Sequence, residues 1–188
     1  MLTEVKETLY LIKRFEDIYK KPISLPIIQK LLYILKFLGI ATSYEYLINF
    51  KGPWSEDIIY DINIYQLEKL HALELTFDER KTEYISLKKD FDLGSYSNKE
   101  IDHVIYSFGD KDLYELMLIT TILYGYTHTK DLKVIQDKTI QLLGGLHSEK
   151  EEREYIAKII KMLHEDKFLS KTFKSLEGIN FLNYVEGK

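Results

Sequence analysis

A chain of 188 residues with 45% hydrophobic and 30% charged side chains has enough apolar material for one domain or two small ones. Its net charge of −4 is evenly spread (13 basic and 14 acidic side chains in residues 1–90, 13 and 16 in residues 91–188), so no broad phosphate-binding face is advertised. The lack of cysteine excludes disulfides and thiolate chemistry, and no run of 18 apolar residues offers a membrane span.

The N-terminus, Met1-Leu2-Thr3-Glu4-Val5-Lys6-Glu7, lacks the basic region and apolar block of a signal peptide, so a cytoplasmic location is expected. Fifteen tyrosines, three prolines and abundant Lys and Glu fit an AT-rich or heat-adapted source, an archaeal one included.

Val5, Leu9, Ile12, Phe15 and Tyr19 fall at helical spacing and predict a first helix over residues 4–19, ended by Lys20-Lys21-Pro22. Ser24 is the expected N-cap of a second helix over residues 25–38, with Pro26 in its first turn and Gly39 after its end. That helix is apolar on most of its circumference, which predicts burial. Tyr44, Tyr46, Ile48 and Phe50 alternate with Glu45, Leu47 and Asn49, the pattern of a half-buried strand. Ser55 is expected to cap a third helix to about Leu70. Residues 72–77 and 82–87 flank the polar turn Asp78-Glu79-Arg80-Lys81 and predict a β-hairpin, joined to the first strand in a three-stranded sheet.

Helices alone are expected after that. Ser97 to Glu100 reads as a capping box, with Gly109 as the stop of its helix. Asp110 is the expected cap of a helix over residues 111–124 closed by Gly125. Thr129 starts another, ended by Gly144-Gly145, and Ser148 to Glu151 forms a second capping box. The tail keeps apolar residues (Phe173, Leu176, Ile179, Phe181, Leu182, Tyr184, Val185) that dock on the core or pair two copies of the chain in a homodimer. The fold class is α+β, mostly α-helical, with a small winged-helix-like antiparallel sheet in the N-terminal half and a helical C-terminal half. The expected division is 1–90 and 91–188, with its boundary between Lys88 and Ser97 and the second half packed on the first; one compact domain is the alternative.

Ile28-Gln29-Lys30-Leu31-Leu32-Tyr33, the aromatic strand, Gly52-Pro53-Trp54-Ser55 and a helix containing Asp61 together resemble the Panacea domain, which covers SocA-like antitoxins. The pattern is closer still to the uncharacterised YwgA-like proteins, which continue into a helical half. The resemblance covers residues 24–87; Trp54 stands where Tyr or Phe is commoner, and Ile28 where Leu is usual. The Panacea family implies neutralisation of a toxin by direct protein contact, and the YwgA-like group implies no known activity.

The Gly52-Pro53-Trp54-Ser55 corner has two readings that are compatible. Gly frees the backbone, Pro fixes φ and Trp supplies an anchoring surface, which suits a partner site. The same residues suit a tight strand-to-helix turn, with Trp54 over the core and Ser55 as cap. Ser55 lacks the G-x-S-x-G elbow of a nucleophile. His71, His103, His128, His147 and His164 show no metal-binding spacing, and no glycine-rich phosphate loop exists. Arg80 and Lys81 at the hairpin tip, with Lys88 and Lys89, could touch nucleic acid, but Asp78 and Glu79 offset them. Glu56, Asp57 and Asp61 make the third helix a poor neighbour for phosphate.

The sequence therefore leads to a non-catalytic protein-interaction module, antitoxin-like or adaptor, with no cofactor and no metal. Its expected partner-binding residues are Gly52, Pro53, Trp54, Ser55 and Tyr46, and its partner is another protein, a toxin or a regulatory target. The alternative is a winged-helix-like DNA-binding regulator using Arg80, Lys81, Lys88 and Lys89.

Overall fold

The computed structural model describes residues 3–40, 43–67, 72–145 and 148–176. The inward stripe of the first helix, α1 (Thr3–Tyr19), is Val5, Leu9, Ile12 and Phe15, all buried. Lys20 adopts a left-handed φ of 54°, and the chain then leads through Pro22 into a two-residue strand, β1 (Ile23–Ser24). Helix α2 (Leu25–Phe37) follows at once. Ser24 occupies its N-cap position without a side-chain bond, Pro26 lies in its first turn, and Gly39 after it has φ 86°. Strands β2 (Leu47–Asn49) and β3 (Gly52–Trp54) form a short ladder ahead of α3 (Glu56–Leu67). The hairpin β4 (Leu73–Phe77) and β5 (Glu83–Leu87) precedes α4 (Lys99–Phe108). Helices α5 (Leu113–His128), α6 (Leu132–Leu143), α7 (Glu149–Glu165) and α8 (Leu169–Leu176) complete the described chain.

The fold is α+β and mostly helical, with its three-stranded antiparallel sheet in the N-terminal half. The sheet order is β1-β5-β4, with Ile23 opposite Ile85 and Leu75 opposite Ile85 on the other side. The expected third strand was the aromatic segment, and that expectation is corrected: Ile23–Ser24 fills the place. Tyr44 to Tyr46 are not strand, and Leu47–Asn49 pairs with Gly52–Trp54 in a separate sheet.

Contacts divide the chain into two units, Met1–Leu47 with Pro53–Leu116 and Ile48–Gly52 with Met117–Lys188. The division falls within α5 and not between Lys88 and Ser97, because α4 packs on α1 and α2. In the first unit Ile101, Val104, Ile105 and Phe108 carry that packing. Arg14 Nε and Tyr10 Oη both donate to Asp102 Oδ1, at 2.7 Å and 3.1 Å, so two α1 side chains hold one α4 carboxylate. Asn98, not Ser97, caps α4: its side chain accepts from Ile101 N at 3.0 Å. Asn98→Ala is expected to lower the unfolding free energy by about 1 kcal/mol, read from the urea midpoint.

In the second unit α6 packs on α7, and α7 on α8. Their shared core includes Ile135, Ile156, Ile159, Ile160, Leu163, Leu169 and Phe173. His164 stacks on Phe173 with ring centroids 4.2 Å apart and meets Tyr126 Oη at 3.1 Å. The capping box at Ser148 and Glu151 is present in both halves. Three other expected boundaries shift. Asp112, not Asp110, binds Glu115 N at 2.8 Å at the start of α5. Asp131, not Thr129, caps α6. Gly125 lies inside α5, where a Cβ would stand 3.0 Å from the Ile135 side chain, so the glycine admits α6 at close range and does not end the helix. Leu70, His71, His147 and the tail residues Ile179 to Val185 fall outside the described residues.

Candidate functional site

Helix α2 is buried on almost every side, so its two central polar residues must find partners within the protein. Gln29 is fully buried: its Nε2 donates to Ser55 O at 2.7 Å and its Oε1 accepts from Ser55 N at 3.0 Å. The amide thus binds the backbone of Ser55 as a neighbouring strand would. Only one orientation of the amide satisfies both groups. Lys30, 1% exposed, donates from Nζ to Pro53 O at 2.5 Å and lies 5.9 Å from the centre of the Trp54 ring. A buried ammonium that meets a carbonyl and a ring face is held by a charge-assisted bond and a cation–π contact together.

One turn further along α2, Tyr33 meets Tyr46 edge to face at 4.8 Å, and Lys36 Nζ donates to Tyr44 O while lying 5.7 Å from the Tyr46 ring centre. Tyr44 Oη donates to Asp61 Oδ2 at 3.1 Å on α3 and shares a hydrogen bond with Thr8 Oγ1 of α1 at 3.0 Å. Glu45 N donates to Asp57 Oδ2 at 3.2 Å. Three helices therefore fix residues 44–46 through side chains, which is why the segment is ordered without a strand ladder.

The turn between β2 and β3 follows from Asn49 and Gly52. Asn49 Oδ1 accepts from Lys51 N at 2.8 Å, and Gly52 has φ 79°, the left-handed conformation that closes such a loop. Within the second unit, a Cβ on Gly52 would lie 3.0 Å from Thr121 Oγ1 and 3.4 Å from Met117 O, so α5 leaves room for a glycine there.

The corner residues expected to bind a partner divide by exposure. Gly52, Pro53 and Ser55 are buried, and Trp54 and Tyr46 are half-buried. Ser55 was expected to cap α3, but its Oγ is buried without a hydrogen-bond partner among the described residues, so it makes no capping bond and no base touches it. What the corner displays instead is Leu47, 79% exposed, and Phe50, 69% exposed. The alternation assigned Phe50 to the inner face and passed over Leu47. The Asn49-to-Gly52 turn signature is the signal that places both on a projecting hairpin.

Tyr46 Oη is also buried with no hydrogen-bond partner among the described residues. Burial, with smaller contributions from Tyr44, Tyr33 and Asp57, raises its phenol well above the ordinary value of 10.0. The folded protein keeps a proton that the unfolded chain releases, so this contribution to stability is complete below that pH and is lost above it. Tyr46→Phe is expected to retain stability at neutral pH or raise it by up to about 1 kcal/mol, and to flatten the alkaline loss. Urea midpoints at about pH 7 and about pH 10.5 check both effects.

Arg80, Lys81 and Lys89 are exposed and Lys88 half-buried. Lys81 has φ 61° at the tip of the β4–β5 hairpin, and Asp78 organises that tip by accepting from Arg80 N at 2.9 Å and Thr82 N at 2.7 Å. Those bonds, the Thr82 amide foremost, hold the Asp78 carboxyl below its ordinary value, so it stays anionic beside Arg80 and Lys81. On α3, Glu56, Asp57, Tyr60 and Asn63 are exposed and Asp61 is half-buried. Among the described residues no three His, Asp or Glu side chains are grouped to hold a metal ion, and no helix is long and apolar enough to cross a membrane. No protein-family model matches this chain, and no curated protein matches it at a significant level.

Proposed function

We propose that the chain is a non-catalytic, cytoplasmic protein-interaction module, antitoxin-like or adaptor, of the Panacea or YwgA-like type. It takes its partner on the β2–β3 hairpin. The observation that carries this reading is the exposure of Leu47 and Phe50 on a hairpin whose base is fixed from below by Gln29 and Lys30. Two large apolar side chains held out on a rigid support lose little conformational freedom on docking, which is what an interface anchor requires. Trp54 then acts as the floor of the hairpin over Lys30, and Gly52, Pro53, Ser55 and Tyr46 position the anchors.

The alternative, a winged-helix-like DNA-binding regulator, draws on the β1-β5-β4 sheet and on the exposed Arg80, Lys81 and Lys89, with Lys88 beside them. The acidic exposed turn of α3 weighs against it, because Glu56 and Asp57 would meet phosphate with like charge.

Affinity capture from the native host tests the proposal, with wild type beside the double variant Leu47→Ser, Phe50→Ser. Both side chains are exposed, so the variant is expected to melt within a few degrees of wild type. The proposal expects one stoichiometric protein that survives raised salt and is lost with the variant. Nucleic acid released by salt, retained by the hairpin variant and lost with Arg80→Ala, Lys81→Ala, would replace it with the DNA-binding reading.

A further inference from the structure

Leu47 does not stand alone on its surface. Glu45, two residues before it, is exposed, and its N–H donates to Asp57 Oδ2 at 3.2 Å, which ties the segment leading to Leu47 to the first turn of α3. Glu56 and Asp57 are exposed, and Tyr60, one turn further along, is 66% exposed. Spacings of four and three residues put Tyr60 beside both acids on the helix surface. Glu45, Leu47, Glu56, Asp57 and Tyr60 all belong to the first unit. The exposed Leu47 side chain and Tyr60 ring therefore lie close to three carboxylates.

The fold does not neutralise those carboxylates. Among the described residues none of Glu45, Glu56 and Asp57 forms an ion pair. Lys36, the basic side chain tied to this segment, is half-buried and gives its ammonium to Tyr44 O. A local excess of one charge sets up a field that draws opposite charge and repels its own kind. Phosphate is repelled, so neither nucleic acid nor an anionic lipid surface fits here. Lys and Arg side chains of a protein do fit. An arginine placed over the Tyr60 ring gains a cation–π contact and can pair with Glu56 or Asp57 at the same time.

We infer that the partner presents a basic face around the apolar pocket that receives Leu47, an inference that rests on the β2–β3 hairpin being the partner site. The two kinds of contact have separate kinetic effects. Exposed charges at the rim steer the encounter and set how fast the complex forms. Apolar anchors set how slowly it comes apart. The complex therefore survives raised salt but forms more slowly in it.

The protein identified by affinity capture, purified and passed over the immobilised full chain, gives both rate constants by surface plasmon resonance. Wild type is expected to associate at least about ten-fold faster in about 0.01 M salt, where charges reach about 30 Å, than in about 1 M, where they reach about 3 Å. Glu45→Gln with Glu56→Gln removes two exposed carboxylates and leaves the fold intact. This pair is expected to slow low-salt association about three- to ten-fold and to change dissociation less than about two-fold. Glu154→Gln with Glu165→Gln takes the same net charge from exposed positions on α7 and is expected to slow association less than about two-fold. That pattern supports the inference. A partner lost with Leu47→Ser, Phe50→Ser whose association ignores both salt and the Glu45, Glu56 pair overturns it and leaves the hairpin reading standing. Equal slowing by the two glutamine pairs overturns it as well, because net charge alone would then account for the steering. Capture that yields no protein lost with the hairpin variant removes the hairpin reading and this inference together.

Discussion

Gln29→Ala is expected to lower the unfolding free energy by about 3 to 5 kcal/mol, the largest loss for any single side chain at the corner. The substitution removes one amide, but it orphans two backbone groups. Ser55 N–H and Ser55 C=O both bind Gln29 and both are buried, so neither regains water when the amide goes. An unsatisfied buried polar group costs about 1–3 kcal/mol, and the vacated volume adds to that. Gln29→Met separates the two parts. It refills most of the space without restoring either bond, and should therefore recover only the cavity share. Urea midpoints of wild type, Gln29→Ala and Gln29→Met measure the set. A loss below about 1 kcal/mol for Gln29→Ala would show that Ser55 finds other partners and that the corner is not held by α2.

The same residue shows where sequence reading reaches its limit. Helix ends were legible because they are local: Ser148 and Glu151 satisfy each other across three residues, and Gly109 and Gly39 stand where the chain leaves a helix. Choices between neighbouring caps were not legible. Ser97 and Asn98 compete for one position, as Asp110 and Asp112 do for another, and packing of the finished helix decides between them. Glycine after a helix usually ends it, but Gly125 lies within α5 and serves the approach of Ile135, a contact ten residues distant.

Strand assignment failed for a different physical reason. Tyr44 and Tyr46 alternate as a strand would, yet their inward positions come from tethers to Thr8, Asp61 and Tyr33 and not from a pleat. Ile23–Ser24 is too short to show any period, so the true third strand carried no signal at all. The candidate corner was recognisable in Gly52 to Ser55, but its burial was not, because the side chains that bury it belong to a helix more than twenty residues earlier. A polar pair such as Gln29-Lys30 inside a helix apolar all round is the trace that such a tether leaves in sequence.

Gly52→Ala should destabilise the protein by about 2 to 4 kcal/mol, from two sources that a double-mutant cycle separates. One is conformational: a residue with a side chain is strained at the φ of 79° that closes the β2–β3 turn. The other is steric: the new Cβ would stand 3.0 Å from Thr121 Oγ1, a hydroxyl that is itself buried without a partner among the described residues. Thr121→Ala removes that oxygen. In its background the Gly52→Ala penalty should shrink to the backbone share of about 1–2 kcal/mol. An equal penalty in both backgrounds would exclude the Thr121 contact as a cause, and no penalty in either would show that the turn yields freely. The cycle also bears on partner binding. Gly52→Ala acts by moving the hairpin that carries Leu47 and Phe50, so it should lower partner capture and stability together. Leu47→Ser with Phe50→Ser should lower capture alone. A variant set in which capture follows stability throughout, with no separate effect of the two exposed side chains, would remove the hairpin from the binding surface.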